Sequence, residues 1–338
     1  MANEVDISEN ELLENHPSVF QQLLFDHTTR KNIFWATVSY ADRKDGYQPH
    51  DEITIPKITG ENGLILRPRA VKSREEQSKR SRDMAEVFTP SWVCNAQNNL
   101  VDEAWFGRKD VFNHEKTNED GSHVWIPTTD KITFPEDDKN KTWRKYVSEN
   151  VMEVSCGEGP YLVSRYDTVT GDPIPINKRI GLLDRKLRVV GENTTTSGEW
   201  LKMAQKAFMS TYGFEWQGDN LLLAREALFF TFVDYYKDKF GKLPLEASMD
   251  YIAYIISWNL WQMDGLKGVV PESCKNGVKA ITSDLFGEHE ETVFCEGCQK
   301  DDIRRHNGIY CKIREWGHKD PVTKENNRKI RFIDLIKP

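Results

Sequence analysis

The 338-residue sequence lacks a long apolar run, a secretory leader and an excess of positive charge. It has no stretch of about 18 consecutive apolar residues, so no membrane-spanning helix is predicted. The amino-terminal residues, MANEVDISENELLENHPSVF, are acidic and have no basic flank before an apolar segment, which argues against a secretory signal. We therefore expect a cytoplasmic protein with no membrane partner.

The charge balance is acidic, with 46 Lys and Arg against 53 Asp and Glu and a formal net charge of −7. Proteins that hold DNA unaided are commonly basic, because phosphate contacts supply most of the non-specific affinity. Either DNA is not the ligand, or a partner carries much of the binding. The basic run RPRAVKSREEQSKRSR, residues 67–82, is either a solvated helix face or an arm that contacts a nucleic-acid backbone.

Cysteine is scarce, with six in the chain, and a cytosolic location argues against a disulfide framework. Most of them cluster in the carboxyl-terminal part, where a Cys-x-x-Cys pair is followed by a histidine and a third cysteine. Such a pair with two further ligands is the usual way to supply a tetrahedral zinc site. The predicted ligands are Cys295, Cys298, Cys311 and His306, with Cys274 as the alternative to His306.

Glu296 and Gly297 suit the tight turn of a zinc knuckle. Two alternatives stay open: reduced, partly buried cysteines, or a redox pair, although no thioredoxin-like context surrounds the motif. Arg304, Arg305 and Lys312 would be available to contact nucleic acid or protein.

A repeated strand–turn–helix rhythm predicts an α/β fold, with a mostly parallel sheet and helices on both faces. We expect an α+β amino-terminal region at residues 1–83, the main domain at 84–272 and a small Cys-rich module at 273–338. NIFWATVSY is a predicted strand, and two helices are predicted to end at Gly213 and Gly241.

Three predicted strand ends carry acids, and in parallel sheets ligands bind at the carboxyl ends of strands. Glycines let the backbone approach a ligand, an acid can accept bonds from a ribose diol, and a neighbouring ring can cover a purine. Each feature alone also fits a plain turn or a surface acid. The candidate residues are Glu153, Cys156, Gly157 and Gly159 in MEVSCGEGPYL, Glu215 and Trp216 in YGFEWQGD, and Asp264 in SWNLWQMDGL.

Together with EVFTP at residues 86–90, these stretches resemble the gamma-ordered S-adenosylmethionine-dependent DNA adenine-N6 methyltransferases, which include modification subunits of restriction systems. The resemblance covers roughly residues 84–270 and implies a Rossmann-like methyltransferase fold. It implies that Phe88, Thr89 and Pro90 close over the methionine part of the cofactor. The glycine loop matches except that Val154 stands where proline is usual. The other implied contacts are Glu215 to the ribose, Trp216 to the adenine face and Asp264 to its edge.

The family's catalytic Asn/Asp/Ser-Pro-Pro-Tyr/Phe motif is not found, because the chain has no Pro-Pro pair. The closing run KIRFIDLIKP resembles the strand that should deliver it. Three explanations stay open: a split enzyme whose partner supplies the catalytic loop, a non-catalytic subunit, or an unrecognised motif. The resemblance thus implies a DNA-modifying subunit with restriction or specificity partners. The alternative is a scaffold or DNA-recognition protein with a methyltransferase fold and a zinc module.

Overall fold

The computed structural model describes residues 9–43, 45–84, 86, 89–135, 138–284, 287–321, 323–324 and 326–336. Within them the helices are α1 (Glu9–Asn15), α2 (Pro17–Leu24), α3 (Ile55–Ile58), α4 (Arg74–Met84), α5 (Ser91–Phe106), α6 (Trp143–Val147), α7 (Leu182–Asn193), α8 (Ser197–Met209), α9 (Gly218–Phe240), α10 (Glu246–Asn259) and α11 (Glu296–Lys300). The strands are β1 (Phe25–Asp26), β2 (Lys31–Asn32), β3 (Asn113–Thr117), β4 (His123–Pro127), β5 (Val151–Val154), β6 (Thr211–Glu215), β7 (Leu260–Gln262), β8 (Val278–Asp284), β9 (Gly287–Val293), β10 (Lys312–Lys319) and β11 (Asn326–Arg331). None of the described helices is both long and apolar enough to cross a bilayer.

A parallel sheet of β5, β6 and β7, in that order, organises the fold. Parallel neighbours need long crossover connections, and here α7 and α8 link β5 to β6 while α9 and α10 link β6 to β7. The carboxyl ends of the three strands therefore meet at one edge of the sheet. The sequence-based expectation of a mixed α/β protein with a parallel sheet is confirmed in this coarser form.

Helices pack on one face of the parallel sheet and a β-hairpin packs on the other. Helices α8, α9 and α10 contact β6, and their apolar side chains belong to the large core. On the other face, Phe214 and Trp261 pack with Ile313 and Ile330 of the antiparallel β10–β11 hairpin. This differs from the expectation of helices on both faces, because a hairpin covers the second face.

The two glycines predicted to end helices have different roles in the structure. Helix α9 ends at Gly241, whose φ of +66° is the left-handed conformation that glycine tolerates. Helix α8, however, ends at Met209, and Gly213 lies inside β6. A side chain at Gly213 would crowd Cys156, whose Sγ lies 3.3 Å from the Cβ position, so this glycine serves strand packing rather than helix termination.

Two predicted strands also differ. NIFWATVSY forms only the last residue of β2 and one isolated bridge, because its backbone bonds go to residues 49–53 rather than to a long partner strand. The start of KIRFIDLIKP belongs to β11, which pairs antiparallel with β10 and not with the parallel sheet. The run therefore does not extend the sheet that holds the strand ends.

One apolar core extends through the predicted amino-terminal and main regions. Leu12, Phe20 and Trp35 are fully buried in the same cluster as Leu221 and Ile256. Helix α2 thus packs on α9 and α10, and α1 packs on α2. The predicted division into three domains stays a prediction.

Candidate functional site

The glycine turn after β5 has an unusual backbone. Ser155, Gly157 and Gly159 all have positive φ, at +51°, +53° and +76°. Positive φ is costly for serine, and such strain concentrates at functional sites. The turn stays attached to the sheet, because the Cys156 N–H donates to the Phe214 carbonyl at 2.9 Å. The sequence-based expectation of a tight turn at this strand end is met.

Gly157 brings the turn to the end of the neighbouring strand. Its N–H donates to Glu215 Oε2 at 2.8 Å, and the Gln217 N–H donates to Glu215 Oε1 at 3.1 Å. A Cβ placed on Gly157 would meet no atom of the described structure within 4 Å, so the space beside this glycine is open. Burial raises the pKa of Glu215, and the backbone N–H donors of Gly157, Gln217 and Trp216 oppose that rise. Because a carboxylate has about four lone-pair sites, Glu215 can still accept a bond from a ligand.

Glu153 lies beside this pair with a carboxyl group that is poorly satisfied. Its Oε1 accepts a long bond of 3.5 Å from the Tyr161 N–H, and within the described structure its buried Oε2 accepts none. Burial raises the pKa of Glu153 well above its ordinary value, and the charge of Glu215 raises it further. Two acids predicted from separate motifs are therefore neighbours, although they are 62 positions apart in the chain.

The other residues predicted to contact a nucleoside already form hydrogen bonds or ion pairs within the protein. Asp264 Oδ1 accepts from the N–H groups of Leu266 and Lys267, and Oδ2 lies 3.2 Å from Lys267 Nζ. This is the simple turn that the sequence left open. The Trp216 indole N–H donates to the Ala36 carbonyl at 3.2 Å, and its residue is half-buried.

The Thr-Pro part of the upstream segment lies near the glycine turn. The Thr89 carbonyl accepts from Thr168 Oγ1 at 2.9 Å, and the Tyr161 hydroxyl also bonds to Thr89. Pro90 has extended backbone and directly precedes α5. Phe88 lies outside the described residues.

The basic run at residues 67–82 is only in part the solvated helix face that the sequence offered, because Arg74, Lys79 and Arg82 are exposed on α4 whereas other residues of the run are buried. The Arg69 N–H donates to Glu158 Oε1 in the glycine turn at 2.7 Å. Arg80 is buried, and its guanidinium lies 2.6 Å from Glu86 Oε2 and 2.9 Å from Asp219 Oδ2. Part of the run therefore anchors this segment to the start of α9. Sequence reasoning missed these contacts, because the acids are scattered and nothing in their spacing marks them.

A second group of reactive side chains lies in the carboxyl-terminal module. Cys274, Cys295, Cys298 and His306, called the metal centre below, place their ligand atoms within 4.8 Å of one another. Cys274 Sγ is 3.1 Å from Cys295 Sγ and 3.4 Å from Cys298 Sγ, and His306 Nδ1 is 3.4–3.6 Å from the three sulfur atoms. Zinc with Zn–S near 2.3 Å and Zn–N near 2.0 Å needs ligand atoms about 3.6–3.8 Å apart. This Cys3His cluster can hold a metal such as zinc.

The prediction of Cys311 as a ligand is wrong, and Cys274 takes its place. Cys311 is fully buried in the apolar cluster under the β10–β11 hairpin, where its Sγ donates to the Gln262 carbonyl at 3.3 Å. Its position one residue before β10 turns it toward the sheet. His306 and Cys274, which the sequence offered as alternatives, both belong to the centre.

Gly297 is required by the compactness of the centre. A Cβ there would lie 2.6 Å from the His306 backbone nitrogen and 2.7 Å from its Nδ1. Burial opposes ionisation of Cys295, but bonds from Cys274 and the Asn307 N–H lower the pKa of Cys295 to about 6. A thiolate at neutral pH is the form that binds metals. The separation of 3.1 Å between Cys274 and Cys295 is also too long for a disulfide, which needs about 2.05 Å.

A cavity of about 560 Å³ lies away from both groups. It separates the amino-terminal halves of β5 and β6 from the β10–β11 hairpin, and Met152, Tyr212, Trp261 and Phe332 are among its lining residues. None of the predicted site residues lines it.

Comparison with known proteins adds no relative to this picture. No family model, no curated protein and no solved structure matches the chain. Its function is therefore inferred from the residues at the strand ends and in the metal centre.

Proposed function

We propose that this chain is an S-adenosylmethionine-binding, DNA adenine-N6 methyltransferase-like subunit of a cytoplasmic restriction–modification or related defence system. The observation that carries the proposal is the contact of the Gly157 N–H with Glu215, with Glu153 alongside, at the carboxyl ends of adjacent parallel strands. Ligands bind at this position in parallel α/β sheets.

The residues present fit the cofactor in three respects. The space beside Gly157 is open, so the backbone can lie against a ligand. Glu153 has a buried carboxylate oxygen without a partner in the described structure, and a buried polar atom calls for one. Two adjacent acids also suit a ligand that carries a sulfonium and an ammonium charge.

The roles of the individual residues follow the resemblance. The glycine turn, with Thr89 and Pro90, would hold the methionine part, and Glu215 would accept from the ribose. Trp216 and Asp264 would flank the adenine. Asp264 is the weakest of these, because both of its carboxylate oxygens already serve its own turn. When bound, the cofactor supplies an activated methyl group, and the chain's contribution is to orient it.

DNA binding and methyl transfer would depend on partner subunits. The net charge of −7 opposes unaided DNA binding, and no Pro-Pro motif is present to hold a flipped adenine. We therefore assign cofactor binding to this chain and leave the target base to a partner such as a specificity or restriction subunit.

We also propose that the metal centre holds Zn²⁺ in a structural role. All four of its positions are filled by protein ligands, whereas catalytic zinc sites keep one position open. The reducing cytoplasm keeps its thiols available. Metal analysis of the purified chain should give about one zinc per chain, and a folded, metal-free preparation would contradict the proposal.

The second candidate is a scaffold or DNA-recognition protein that keeps the fold and zinc module without binding the cofactor. The internal bonds of Glu215 and Asp264 favour it, since both acids would then be purely structural. Arg304, Arg305 and Lys312 would be its basic contacts, although Arg305 already pairs with Glu296 and Asp302.

Calorimetric titration with S-adenosylmethionine separates the two candidates. We expect the wild type to bind and Gly157→Ala to bind about tenfold or more weakly, a loss of about 1.4 kcal/mol. Gly107→Ala is the matched control, because Gly107 also has positive φ and open space around it but lies at the end of α5. Equal binding by the two variants, or no heat with the wild type, would contradict the first candidate.

A further inference from the structure

We infer that the metal centre clamps the turn that carries Asp264, so that metal occupancy strengthens binding of an adenine nucleoside at the strand ends. This inference rests on the proposed function, which places the adenine edge at Asp264. It concerns a coupling between the metal centre and the candidate nucleoside site at the strand ends.

The Asp264 turn is held against a second segment by backbone pairing. The Asp264 N–H donates to the Val269 carbonyl at 2.8 Å, and Val269 in turn bridges to Tyr310. The Val270 N–H donates to the Ile309 carbonyl at 2.8 Å, and the Cys311 N–H to the Gly268 carbonyl at 3.1 Å. Backbone hydrogen bonds therefore join residues 264–270 and 309–311 into one paired unit.

Both of these segments lead directly into metal ligands. Cys274 follows the first segment by four residues, and His306 precedes the second by three. The Ile309 N–H donates to Ser273 Oγ at 3.0 Å, next to Cys274. The His306 N–H donates to the Tyr310 hydroxyl at 2.8 Å. A metal bound by Cys274 and His306 would thus close the open end of the paired unit.

In the described residues, hydrogen bonds rather than an apolar cluster hold this end together, among them Cys295 N–H to Asn276 Oδ1 at 3.1 Å and Gly297 N–H to the Arg305 carbonyl at 3.0 Å. Helix α11, which carries Cys298, has five residues, and Gly297 is its buried one. Asn307 bonds to the Lys275 backbone at 2.8 and 2.9 Å, but it is exposed there. In small modules of this kind, metal binding supplies folding free energy that the core cannot.

Lys267 provides a direct link between the two groups. Its ammonium lies 3.2 Å from Asp264 Oδ2, and the Cys274 and Cys298 thiols are close enough for their charges to act on it. The side chain that pairs with the candidate adenine-edge acid is therefore within electrostatic range of the metal ligands Cys274 and Cys298.

Hydrogen exchange on the full-length chain, with and without zinc, tests the clamp itself. After zinc removal by a chelator we expect the amides of Gly268, Val270 and Cys311 to exchange about tenfold faster or more. The Val151 amide, which bonds to Ser210 in the parallel sheet, should be unchanged. Unchanged exchange at Gly268, Val270 and Cys311 would overturn the inference, whether or not the chain binds a nucleoside.

Titration with S-adenosylmethionine tests the coupling. Zinc-loaded wild type should bind about tenfold more tightly than the zinc-free chain, within the usual range of coupling between sites. Cys298→Ser should bind like the zinc-free chain, whereas Glu296→Gln, an exposed non-ligand in the same helix, should bind like the loaded wild type. Equal affinity with and without zinc would overturn the coupling. If the loaded wild type does not bind at all, the proposed function fails, and the exchange experiment alone decides the clamp.

Discussion

At the residue scale, Glu153 has the character of a functional residue rather than a structural one. Its carboxyl is buried beside Glu215 and gains little in return, since only backbone N–H groups at residues 161–162 reach it and its Oε2 has no partner in the described structure. A group that costs stability is expected where a ligand completes its environment. The sequence predicted this residue from its motif, but its lack of a partner could be learned only from the fold.

Replacing Glu153 should therefore have opposite effects on stability and on cofactor binding. The pKa of Glu153 is raised in the folded state. Stability is therefore lost as the pH rises from the pKa of Glu153 in the unfolded chain to its higher pKa in the folded chain. Glu153→Gln should raise stability at neutral pH by about 1–2 kcal/mol and weaken S-adenosylmethionine binding. Denaturant unfolding and calorimetry measure the two effects, and a destabilised variant would show that the carboxylate is structural. Glu199→Gln, exposed at the start of α8, is the control.

His27 gives a pH-dependent prediction outside the site. Burial, together with the charges of Arg225, Arg314 and Lys329, lowers the pKa of His27 to about 3. Its ring stacks on Trp258. The unfolded chain takes up this proton below about pH 6.5, whereas the folded chain stays neutral down to about pH 3. Stability should therefore fall as pH drops through this window.

His27→Gln should flatten that part of the stability profile, as measured by denaturant unfolding between pH 7 and pH 4. His50→Gln, at a side chain that is 80% exposed, should leave the profile as it is in the wild type. A slope that is the same in wild type and His27→Gln would show that other groups cause the pH dependence.

At the element scale, the basic run shows how charges fasten one segment to the sheet edge. Arg80 in α4 contacts both Glu86 and Asp219, and Tyr40 donates to the same Asp219 at 2.9 Å. The pKa of Arg80 is raised because these acids outweigh its burial. A buried ion network of this kind adds little net stability when intact, but losing one partner leaves a charge unpaired.

Arg80→Ala should accordingly destabilise the chain by about 3–5 kcal/mol. Lys79→Ala, an exposed neighbour in the same helix, should change stability by no more than about 0.5 kcal/mol. Urea unfolding of the two variants checks this. A similar small effect in both would mean that residues 67–82 are the solvated face that the sequence left open.

The elements also show what local sequence can and cannot determine. The end of α9 at Gly241 and the helix from Ser91 were predictable, because a glycine in left-handed conformation and a proline are local signals. The end of α8 was not, because Gly213 is required by packing against Cys156, a residue distant in the chain. Local patterns cannot distinguish a glycine that ends a helix from one that makes room in a strand.

At the scale of the whole molecule, the chain combines a parallel sheet edge with a metal centre joined to it by residues 264–274. The strand–turn–helix rhythm predicted the sheet, because crossover connections leave a periodic trace in the sequence. The hairpin on the second face was not predictable, since antiparallel β10 and β11 are far along the chain from the strands they cover. For the same reason the spacing of the cysteines identified the centre but not its third cysteine, which is Cys274 and not Cys311.

A structure of the chain crystallised with zinc and S-adenosylhomocysteine tests the central claim most directly. We expect the nucleoside beside Gly157, with its ribose hydroxyls within hydrogen-bond distance of Glu215 and its amino-acid part near Thr89. A nucleoside bound in the 560 Å³ cavity under the β10–β11 hairpin, or no nucleoside at millimolar concentration, would contradict the assignment of the strand ends as the cofactor site.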